Sequence, residues 1–333
     1  MHKKWLLMAV MLVSVSLALL PQISEANNPS PFNTSKAYFY NFYGVSPLPC
    51  GDVWVVGSHG IICKLDKTGK KWIVQKSGID SNLFGVSFVD SKNGWAVGEG
   101  GLILHTNDGG SSWKRQYSHT TEHLSSVCFK DANNGWVVGA FGTILHTADG
   151  GKNWVSQGEK VDKIYNSVYF FDTDHGWIAG EFGTILHTSD GGHHWQQQTN
   201  PLGESTLFRV YFQDINKGWI TGMDGTILHT VDAGKTWKQI STPVKEHLFG
   251  IQVCDGKLCA VGLKGECTMT GSETLVRASE KIPTRAWLKQ VAFADRQRAW
   301  IVGSVGTVLF SCDGGATWQS GWNTNNPCLF NGK

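Results

Sequence analysis

Short runs of alternating apolar and polar residues, separated by glycine-rich turns, recur along the chain. Within residues 83–89, Phe84, Val86 and Phe88 share one side, which is the period-two pattern of a strand. Residues 98–101 form a tight turn between two further apolar runs, and a turn at 108–110 leads to a last run that opens at Trp113. The pattern predicts four short strands in each unit of about 40 residues.

A column of tryptophans shows that this unit repeats at a fixed spacing. The column comprises Trp72, Trp113, Trp154, Trp195, Trp237 and Trp318. Its first four steps are 41 or 42 residues, and its last step is 81 residues, which is two periods. A unit without tryptophan must therefore lie in the last gap, where Cys259 takes the place that Trp95 has in its own unit.

Counting that unit gives seven repeats. They cover residues 42–77, 83–116, 124–157, 165–198, 207–240, 248–282 and 288–320. Four strands per unit, repeated radially, are typical of a β-propeller, which closes into a ring and leaves few exposed sheet edges. We predict an all-β, seven-bladed β-propeller with four-stranded antiparallel blades.

The ends of the chain predict a cleaved leader. Met1 to Lys4 is basic, residues 5–20 form an apolar run of 16 residues, and a small-residue cleavage site ends at Ala26. The run is shorter than the ~20 residues of a membrane-spanning helix. The predicted division is a signal peptide at 1–26, a lead-in segment with a ring-closing strand at 27–41, the propeller at 42–322 and a tail at 323–333.

This reading places the mature chain in the periplasm or outside the cell, without a membrane span. An uncleaved membrane anchor is the alternative. Cys50 is the first cysteine, so no cysteine follows the cleavage site as a lipid anchor would require. Removal of residues 1–26 leaves 27 basic and 26 acidic residues, a balance that gives no electrostatic reason to bind nucleic acid. We expect a monomer.

A second recurring element is the turn Ser/Thr-x-Asp-x-Gly-x-x-Trp, known as the Asp box. Its aspartate can accept backbone N–H groups of its own turn, and its tryptophan can fill the outer gap between sheets. The first unit has Lys67 near the aspartate position, and the sixth unit has lost the motif. We predict a structural role for Asp108, Trp113, Asp149, Trp154, Asp190, Trp195, Asp232, Trp237, Asp313 and Trp318.

Three phrases of the unit carry a family resemblance. They are Gly-Trp-x-x-Gly, then Gly-Thr-Ile-Leu-His-Thr at 142–147, 183–188 and 225–230, then Asp-Gly-Gly-x-x-Trp. Over residues ~40–320 the chain resembles the photosystem II assembly/stability factor family, seven-bladed propellers with neuraminidase-type repeats. The resemblance implies a non-enzymatic protein that binds a protein partner and assists a membrane or envelope complex, photosystem-like or redox.

Photosynthetic members of that family resemble one another in using a basic arginine patch for their partner. The arginines here are few and scattered along the sequence. They are Arg115, Arg209, Arg277, Arg285, Arg296 and Arg298.

The histidines that could suggest a catalytic or metal site recur at the same strand position in four of the repeated units. His105, His146, His187 and His229 take the same strand position in separate units, so ring symmetry keeps them apart, whereas zinc needs every ligand within about 2.1 Å. We predict no metal, no cofactor and no enzyme. The alternative is a glycan-binding or glycoside-hydrolase propeller of the sialidase type, although the arginine triad of sialidases is hard to assemble from these positions. Cys254 and Cys259 flank a turn sequence, and a disulfide between them is one reading.

A partner-binding surface is most expected where the strands are the same in every unit and the turn and loop residues differ between units. Strand alternation places the turns between second and third strands on the same face as the loops between units, and recognition usually lies in loops on a rigid scaffold. The predicted binding face comprises Glu99, Phe141, Glu181, Phe182, Met223, Asp224, Lys264 and Trp287. An ordinary solvated rim is the alternative.

Overall fold

Seven antiparallel sheets of four strands each make up the part of the chain that the structure describes. The structure is a computed structural model, and it describes residues 40–66, 69, 71–270, 275–278 and 282–322. These residues all fall within one compact unit, residues 31–333. The predicted signal peptide, nearly all of the lead-in segment and the tail at 323–333 lie outside the described residues.

The strands follow one another in chain order, and each blade uses four consecutive ones. The first four blades contain β1 (Phe42–Pro47), β2 (Val53–Gly57), β3 (Ile62–Leu65), β4 (Trp72–Gln75), β5 (Leu83–Phe88), β6 (Gly94–Gly98), β7 (Ile103–Thr106), β8 (Lys114–Gln116), β9 (Leu124–Phe129), β10 (Gly135–Gly139), β11 (Ile144–Thr147), β12 (Val155–Ser156), β13 (Tyr165–Phe170), β14 (Gly176–Gly180), β15 (Ile185–Thr188) and β16 (Gln196–Gln197). The last three contain β17 (Leu207–Phe212), β18 (Gly218–Gly222), β19 (Ile227–Thr230), β20 (Lys238–Gln239), β21 (Leu248–Cys254), β22 (Lys257–Gly262), β23 (Cys267–Thr270), β24 (Leu275–Arg277), β25 (Leu288–Phe293), β26 (Ala299–Gly303), β27 (Val308–Ser311) and β28 (Gln319–Ser320).

The first strand of each blade contacts the first strand of the next, and β25 returns to β1. A ring closed in this way encloses a central channel, so the architecture is a β-propeller. The seven-bladed all-β prediction is confirmed, including the blade without tryptophan, β21–β24. Short 3₁₀ turns join the second and third strands at Ser58–Gly60, Glu99–Gly101, Ala140–Gly142 and Leu263–Gly265.

The core lies between blades rather than within them. Trp95 of β6 stacks on Phe129 of the next blade, and the same pair recurs around the ring. The equivalent pairs are Trp54 with Phe88, Trp136 with Phe170 and Trp177 with Phe212, all with centroids 3.6 Å apart. Because each blade supplies one ring of the pair, burial of the tryptophan requires the neighbouring blade.

The first and last blades close the ring through side chains. Gln290 of β25 accepts the Val45 N–H at 3.2 Å and donates to the Val45 carbonyl at 3.1 Å. The last blade draws its four strands from residues 288–320, and Tyr40 and Asn41 lie outside the sheets. The rest of the predicted ring-closing strand lies outside the described residues.

The predicted disulfide between Cys254 and Cys259 is wrong, because both are free thiols. The turn between β21 and β22 contains two residues, Asp255 and Gly256, both at positive φ, so Cys254 is paired with Lys257. Cys259 is paired instead with Gln252. The two cysteines are therefore diagonal neighbours, at a separation of ~7–8 Å that exceeds the usual reach of a disulfide.

Candidate protein-binding face

The turns between second and third strands bond to the loops that lead into the next blade. Gly101 N–H donates to the Glu122 carbonyl at 2.8 Å, and Gly142 N–H donates to the Lys163 carbonyl at 2.9 Å. Gly306 N–H in the last blade donates to the Tyr40 carbonyl at 2.7 Å. Turns and loops together form one face of the propeller, which we call the turn face.

The middle residue of each such turn has a left-handed backbone conformation. Six of the seven are not glycine, and their φ values lie between 52° and 55°. They are His59, Phe141, Phe182, Asp224, Lys264 and Val305, with Gly100 in the remaining blade. A bulky residue with positive φ is uncommon because its Cβ crowds the following carbonyl. The turns therefore hold their side chains outward at a conformational cost.

Two of the predicted binding residues are exposed aromatic rings in adjacent blades. Phe141 is 54% exposed and Phe182 is 47% exposed. Both occupy the left-handed position, so the backbone directs them away from the core. Asp224 and Lys264 occupy the same position in later blades, with ion-pair partners His247 at 3.4 Å and Glu246 at 2.8 Å.

The predicted acidic residues Glu99 and Glu181 have structural contacts. Glu99 accepts the Asn82 backbone N–H at 3.0 Å and its side-chain amide at 2.7 Å. Glu181 accepts the Ile164 N–H at 3.0 Å. Each carboxylate thus ties a turn to the loop entering its own blade. Met223 has the corresponding position in the fifth blade and is half-buried.

Trp287 lies further in, at the channel. Its ring stacks on Tyr43 with centroids 5.8 Å apart and planes inclined by 17°. Tyr43 also contacts Phe84 of the next blade, at 5.5 Å. On the other side of the ring, Phe208 and Phe249 are 5.0 Å apart. Aromatic side chains therefore line part of the channel mouth on the turn face.

Sequence reasoning missed this aromatic mouth, which β-bulges produce. In every blade the pairing of first and second strands skips one residue, and a bulge of this kind re-aims a side chain. The skipped residues, which we call the channel rim, are Tyr43, Phe84, Ser125, Asn166, Phe208, Phe249 and Lys289. A signal was present, since these residues precede a small or polar residue in most first strands.

The Asp boxes lie on the opposite face, against the hairpins between first and second strands. Gly109 N–H, for example, donates to the Lys92 carbonyl at 2.9 Å. Asp108 accepts the Ser112 hydroxyl at 2.6 Å, the Ser112 N–H at 2.9 Å and the Thr106 hydroxyl at 2.8 Å. These bonds, led by that from the Ser112 side chain, lower the pKa of Asp108 to about 2. The carboxylate therefore serves to stabilise its own turn.

Three of the box tryptophans donate a hydrogen bond to a glutamine of the preceding blade. Trp154 Nε1 donates to Gln116 Oε1 at 3.2 Å, and the Gln116 amide donates to the Gly150 carbonyl at 2.8 Å. The same arrangement joins Trp113 to Gln75 and Trp237 to Gln198. These hydrogen bonds connect neighbouring blades.

The recurring histidines pack beside the inner tryptophans. His105 lies 4.8 Å from the ring of Trp95, and the equivalent pairs in three further blades are similar. Burial lowers the pKa of each of these histidines. Within the described residues, no group of three His, Cys, Asp or Glu side chains is arranged to hold a metal ion.

A sequence model of the family described as Photosynthesis system II assembly factor YCF48 matches residues 66–161 and 157–254. Together the two matches span residues 66–254, more than half of the 333 residues. The chain belongs to the YCF48 family. The resemblance seen in the repeat motifs is thus confirmed.

Solved structures of YCF48 share the fold of this chain. A structure described as YCF48 bound to D1 peptide is 18% identical, with a TM-score of 0.70 over 87% of this chain and 98% of that one. YCF48 from Cyanidioschyzon merolae is 17% identical, with a TM-score of 0.69 over 84% and 97%. Among curated proteins, no sequence matches this member of the YCF48 family.

Enzymes share the fold to a similar degree. A GH74 enzyme from Niastella koreensis is 15% identical to this YCF48-family chain, with a TM-score of 0.70. The alignment covers 84% of this chain and 53% of the enzyme. At these identities the likeness concerns the propeller fold alone, since one fold hosts many functions.

The arginines of this YCF48-family chain are spread over several blades, with Arg296 and Arg298 together in the hairpin between β25 and β26. Arg115 lies in β8, Arg209 in β17 and Arg277 in β24. Arg277 pairs with Glu266, and Arg298 pairs with Asp295 at 2.6 Å. Arg296 and Asp255 are 3.4 Å apart. Three of the six arginines thus have acidic partners of their own.

The structure describes no helix with the length and apolarity needed to span a bilayer.

Proposed function

We propose that this chain is a non-enzymatic assembly or stability factor that binds a protein partner in a membrane or envelope complex. The observation that carries the proposal is membership of the YCF48 family, one of whose solved structures holds a D1 peptide. The partner of this chain is proposed only as a class, a subunit of a photosystem-like or redox membrane complex.

The turn face is the proposed contact surface. It presents Phe141 and Phe182 as exposed rings held by left-handed backbone, and exposed aromatic residues on a rigid frame are common anchors of protein interfaces. Asp224 and Lys264 supply charged groups at the same turn position in the fifth and sixth blades, with Met223 and Trp287 further in. Glu99 and Glu181 belong to this proposed face through the turns that they fix.

A glycan-active propeller is the second candidate, favoured by the fold likeness to the GH74 enzyme. Glycoside hydrolysis in most families requires two carboxylates flanking the scissile bond. The seven first strands, which surround the channel, contain no aspartate or glutamate. This composition favours the binding function over the hydrolytic one.

The proposed setting is the periplasm or the cell exterior, with the chain as a monomer. The sequence of residues 1–26 supports the first point, through its basic start, apolar run and small-residue cleavage site. A signal-peptide cleavage test on the expressed chain, read by mass spectrometry of the N-terminus, and sedimentation of the mature protein check both points.

The experiment for function is affinity capture from detergent-solubilised host membranes, beside a glycan array and a glycosidase panel. The proposal expects subunits of one membrane complex to be enriched by the wild-type protein and lost with Phe141→Gly and Phe182→Gly together. Turnover of a glycan by the purified wild type, or capture that survives both substitutions, would overturn it.

A further inference from the structure

The strands around the channel carry charge of one sign only. Across all seven first strands, Arg209 of β17 and Lys289 of β25 are the sole charged residues. Because these strands contact one another in a closed ring, their half-buried side chains share the enclosed channel. The described first strands therefore bring two positive charges and no negative one to the channel wall.

Lys289 is the channel-rim residue of the last blade, so a β-bulge sets its direction. Its Nζ lies 5.3 Å from the ring centroid of Phe249, in the preceding blade. Phe249 in turn contacts Phe208, the residue before Arg209. Two aromatic rings thus lead from Lys289 to the blade that carries Arg209.

Arg209 follows the skipped residue Phe208 in β17 and is paired with Thr221 of the second strand. The groups that act on its charge are Cys128 of the third blade and Tyr169 of the fourth, and its own charge acts on Lys289 of the seventh. Arg209 has the register position that Ser167 has in the preceding blade, and the Ser167 hydroxyl accepts the Val210 N–H across the blade boundary at 3.3 Å. This position therefore faces the inner surface, where neighbouring first strands meet. No carboxylate of the described residues forms an ion pair with Arg209 or Lys289.

Holding these two charges is unfavourable for the protein alone. Burial, followed by repulsion from Arg209, lowers the pKa of Lys289 to about 8, and burial lowers the pKa of Arg209. A partly buried charge without a counter-charge destabilises a fold. An anion entering the channel would supply the missing charge, and both cations would then contribute to binding.

The chemistry of the wall selects among anions. A guanidinium bonds a carboxylate with two parallel N–H donors, and an ammonium adds a point charge from another side. The rings of Phe208, Phe249 and the nearby Tyr169–Tyr211 pair, whose centroids are 5.3 Å apart, suit a carbon skeleton better than a fully hydrated inorganic ion.

We propose that the channel contains a binding site for a carboxylate attached to an apolar body, with Arg209 and Lys289 as its two cations and Phe249 as its wall. The carboxylate comes from a free organic acid or from an acidic side chain or C-terminus of a bound polypeptide. The site does not depend on the proposed assembly function, since either source can occupy it whatever the turn face binds.

Calorimetric titration of the mature chain tests the site with two arms of probes. One arm uses benzoate and glutarate, and the other uses a short peptide with a free C-terminus beside its amidated form. Binding in either arm supports the site and identifies the source of the carboxylate. No binding in either arm at about 10 mM, well beyond a millimolar dissociation constant, would overturn it.

The variants are Arg209→Gln and Lys289→Gln, with Arg115→Gln on the exposed strand β8 as the matched control. Each channel variant should weaken binding roughly 30-fold, as expected for truncating one member of a buried charge contact, and the control should not. Thermal unfolding checks that all three fold. Binding unchanged in both channel variants would refute the assignment, independently of any capture experiment.

Discussion

Trp95 and Phe129 stack face to face across the boundary between the second and third blades, with centroids 3.5 Å apart and planes inclined by 6°. Phe129 also meets Trp154 edge-on at 5.8 Å. The phenylalanine is thus held between an inner and an outer tryptophan. Because the three rings come from two blades, they join the ring of sheets as well as filling it.

Replacement of this phenylalanine should cost more than replacement of its equivalent in the last blade. Phe293 is buried like Phe129, at 8% against 6%, but Cys259 stands where the inner tryptophan would be. We expect Phe129→Ala to lose about 4 kcal/mol and Phe293→Ala about 1 kcal/mol less, the contribution of an aromatic pair. Urea unfolding measures both. Equal losses would show that the stack adds nothing to burial.

The recurrence of tryptophan makes the blades predictable, because a residue that fills the same gap in six of the seven blades leaves a period in the sequence. The blade around Cys259 was predictable only from the length of the gap. The register between strands has no comparable pattern in the sequence. The turn contains two residues, Asp255 and Gly256, whereas a four-residue turn at 255–258 would place Cys254 opposite Cys259.

The channel was the part that the sequence did not reveal. Lys289 and Arg209 are the single charged residues of their strands, and this is visible in the sequence. The alternation of apolar and polar residues predicts which side of a sheet a side chain is on, but it does not predict a bulge that changes this direction. The skipped residue in each first strand aims its side chain toward the channel mouth. The sequence predicts the turns that contain Glu99 and Glu181. It does not predict the backbone N–H groups that bond to their carboxylates, because those groups belong to a neighbouring loop.

Relief of backbone strain on the turn face should separate stability from binding. We expect Phe141→Gly to raise the free energy of unfolding by about 0.5 kcal/mol, the left-handed cost removed less the extra entropy of glycine. Val305→Gly is the matched control, with the same φ of 53° and 55% exposure. Capture of the partner should fall with Phe141→Gly and persist with Val305→Gly. Equal capture by both would remove Phe141 from the interface.

The Asp boxes predict a stability change in acid. The hydrogen bonds to Asp108 hold its folded pKa at about 2, below its ordinary value of 3.8. Its stabilisation is present above pH ~4 and is lost as the pH falls through 2, because the unfolded state then binds more protons. Asp108→Asn should be less stable by ~1 kcal/mol at pH 7, and the difference should vanish near pH 2.

The control for this acid effect is Asp174→Asn, since the Asp174 side chain is exposed and accepts no hydrogen bond from the described residues. This substitution should change the free energy of unfolding at pH 7 by much less than Asp108→Asn does. A wild type and Asp108→Asn that lose stability in parallel below pH 4 would show that the carboxylate charge contributes nothing.

The thiol state of the sixth blade can be measured directly. We expect Cys254, which is half-buried, to be alkylated by iodoacetamide in the native protein, and fully buried Cys259 to react only after unfolding. Exposed Cys50 is the internal standard for rapid labelling. Peptide mass spectrometry reads each site. Labelling of both cysteines that required a reductant in addition to denaturant would establish the disulfide after all.

The charge of Lys289 should lower the free energy of unfolding at neutral pH, and this effect should disappear in base. Its folded pKa of about 8 lies below the ordinary 10.5, so between these values the unfolded chain binds the extra proton and stability rises with pH. Lys289→Met removes the charge, and we expect a gain of at least about 1 kcal/mol at pH 7. That gain should shrink steadily from pH 8 to pH 10.

Comparison of two unfolding curves isolates this effect from other groups that titrate in base. Burial raises the pKa of Tyr211 to about 12 and raises that of Cys128, and both residues lower stability as the unfolded chain loses their protons first. These contributions are common to wild type and variant, so they cancel in the difference. Lys114→Met, on the exposed strand β8, is the control for loss of a lysine, and at pH 7 its free energy of unfolding should stay close to that of the wild type. A constant difference between Lys289→Met and the wild type from pH 7 to pH 10 would mean that Lys289 titrates normally and that the channel does not strain its charge.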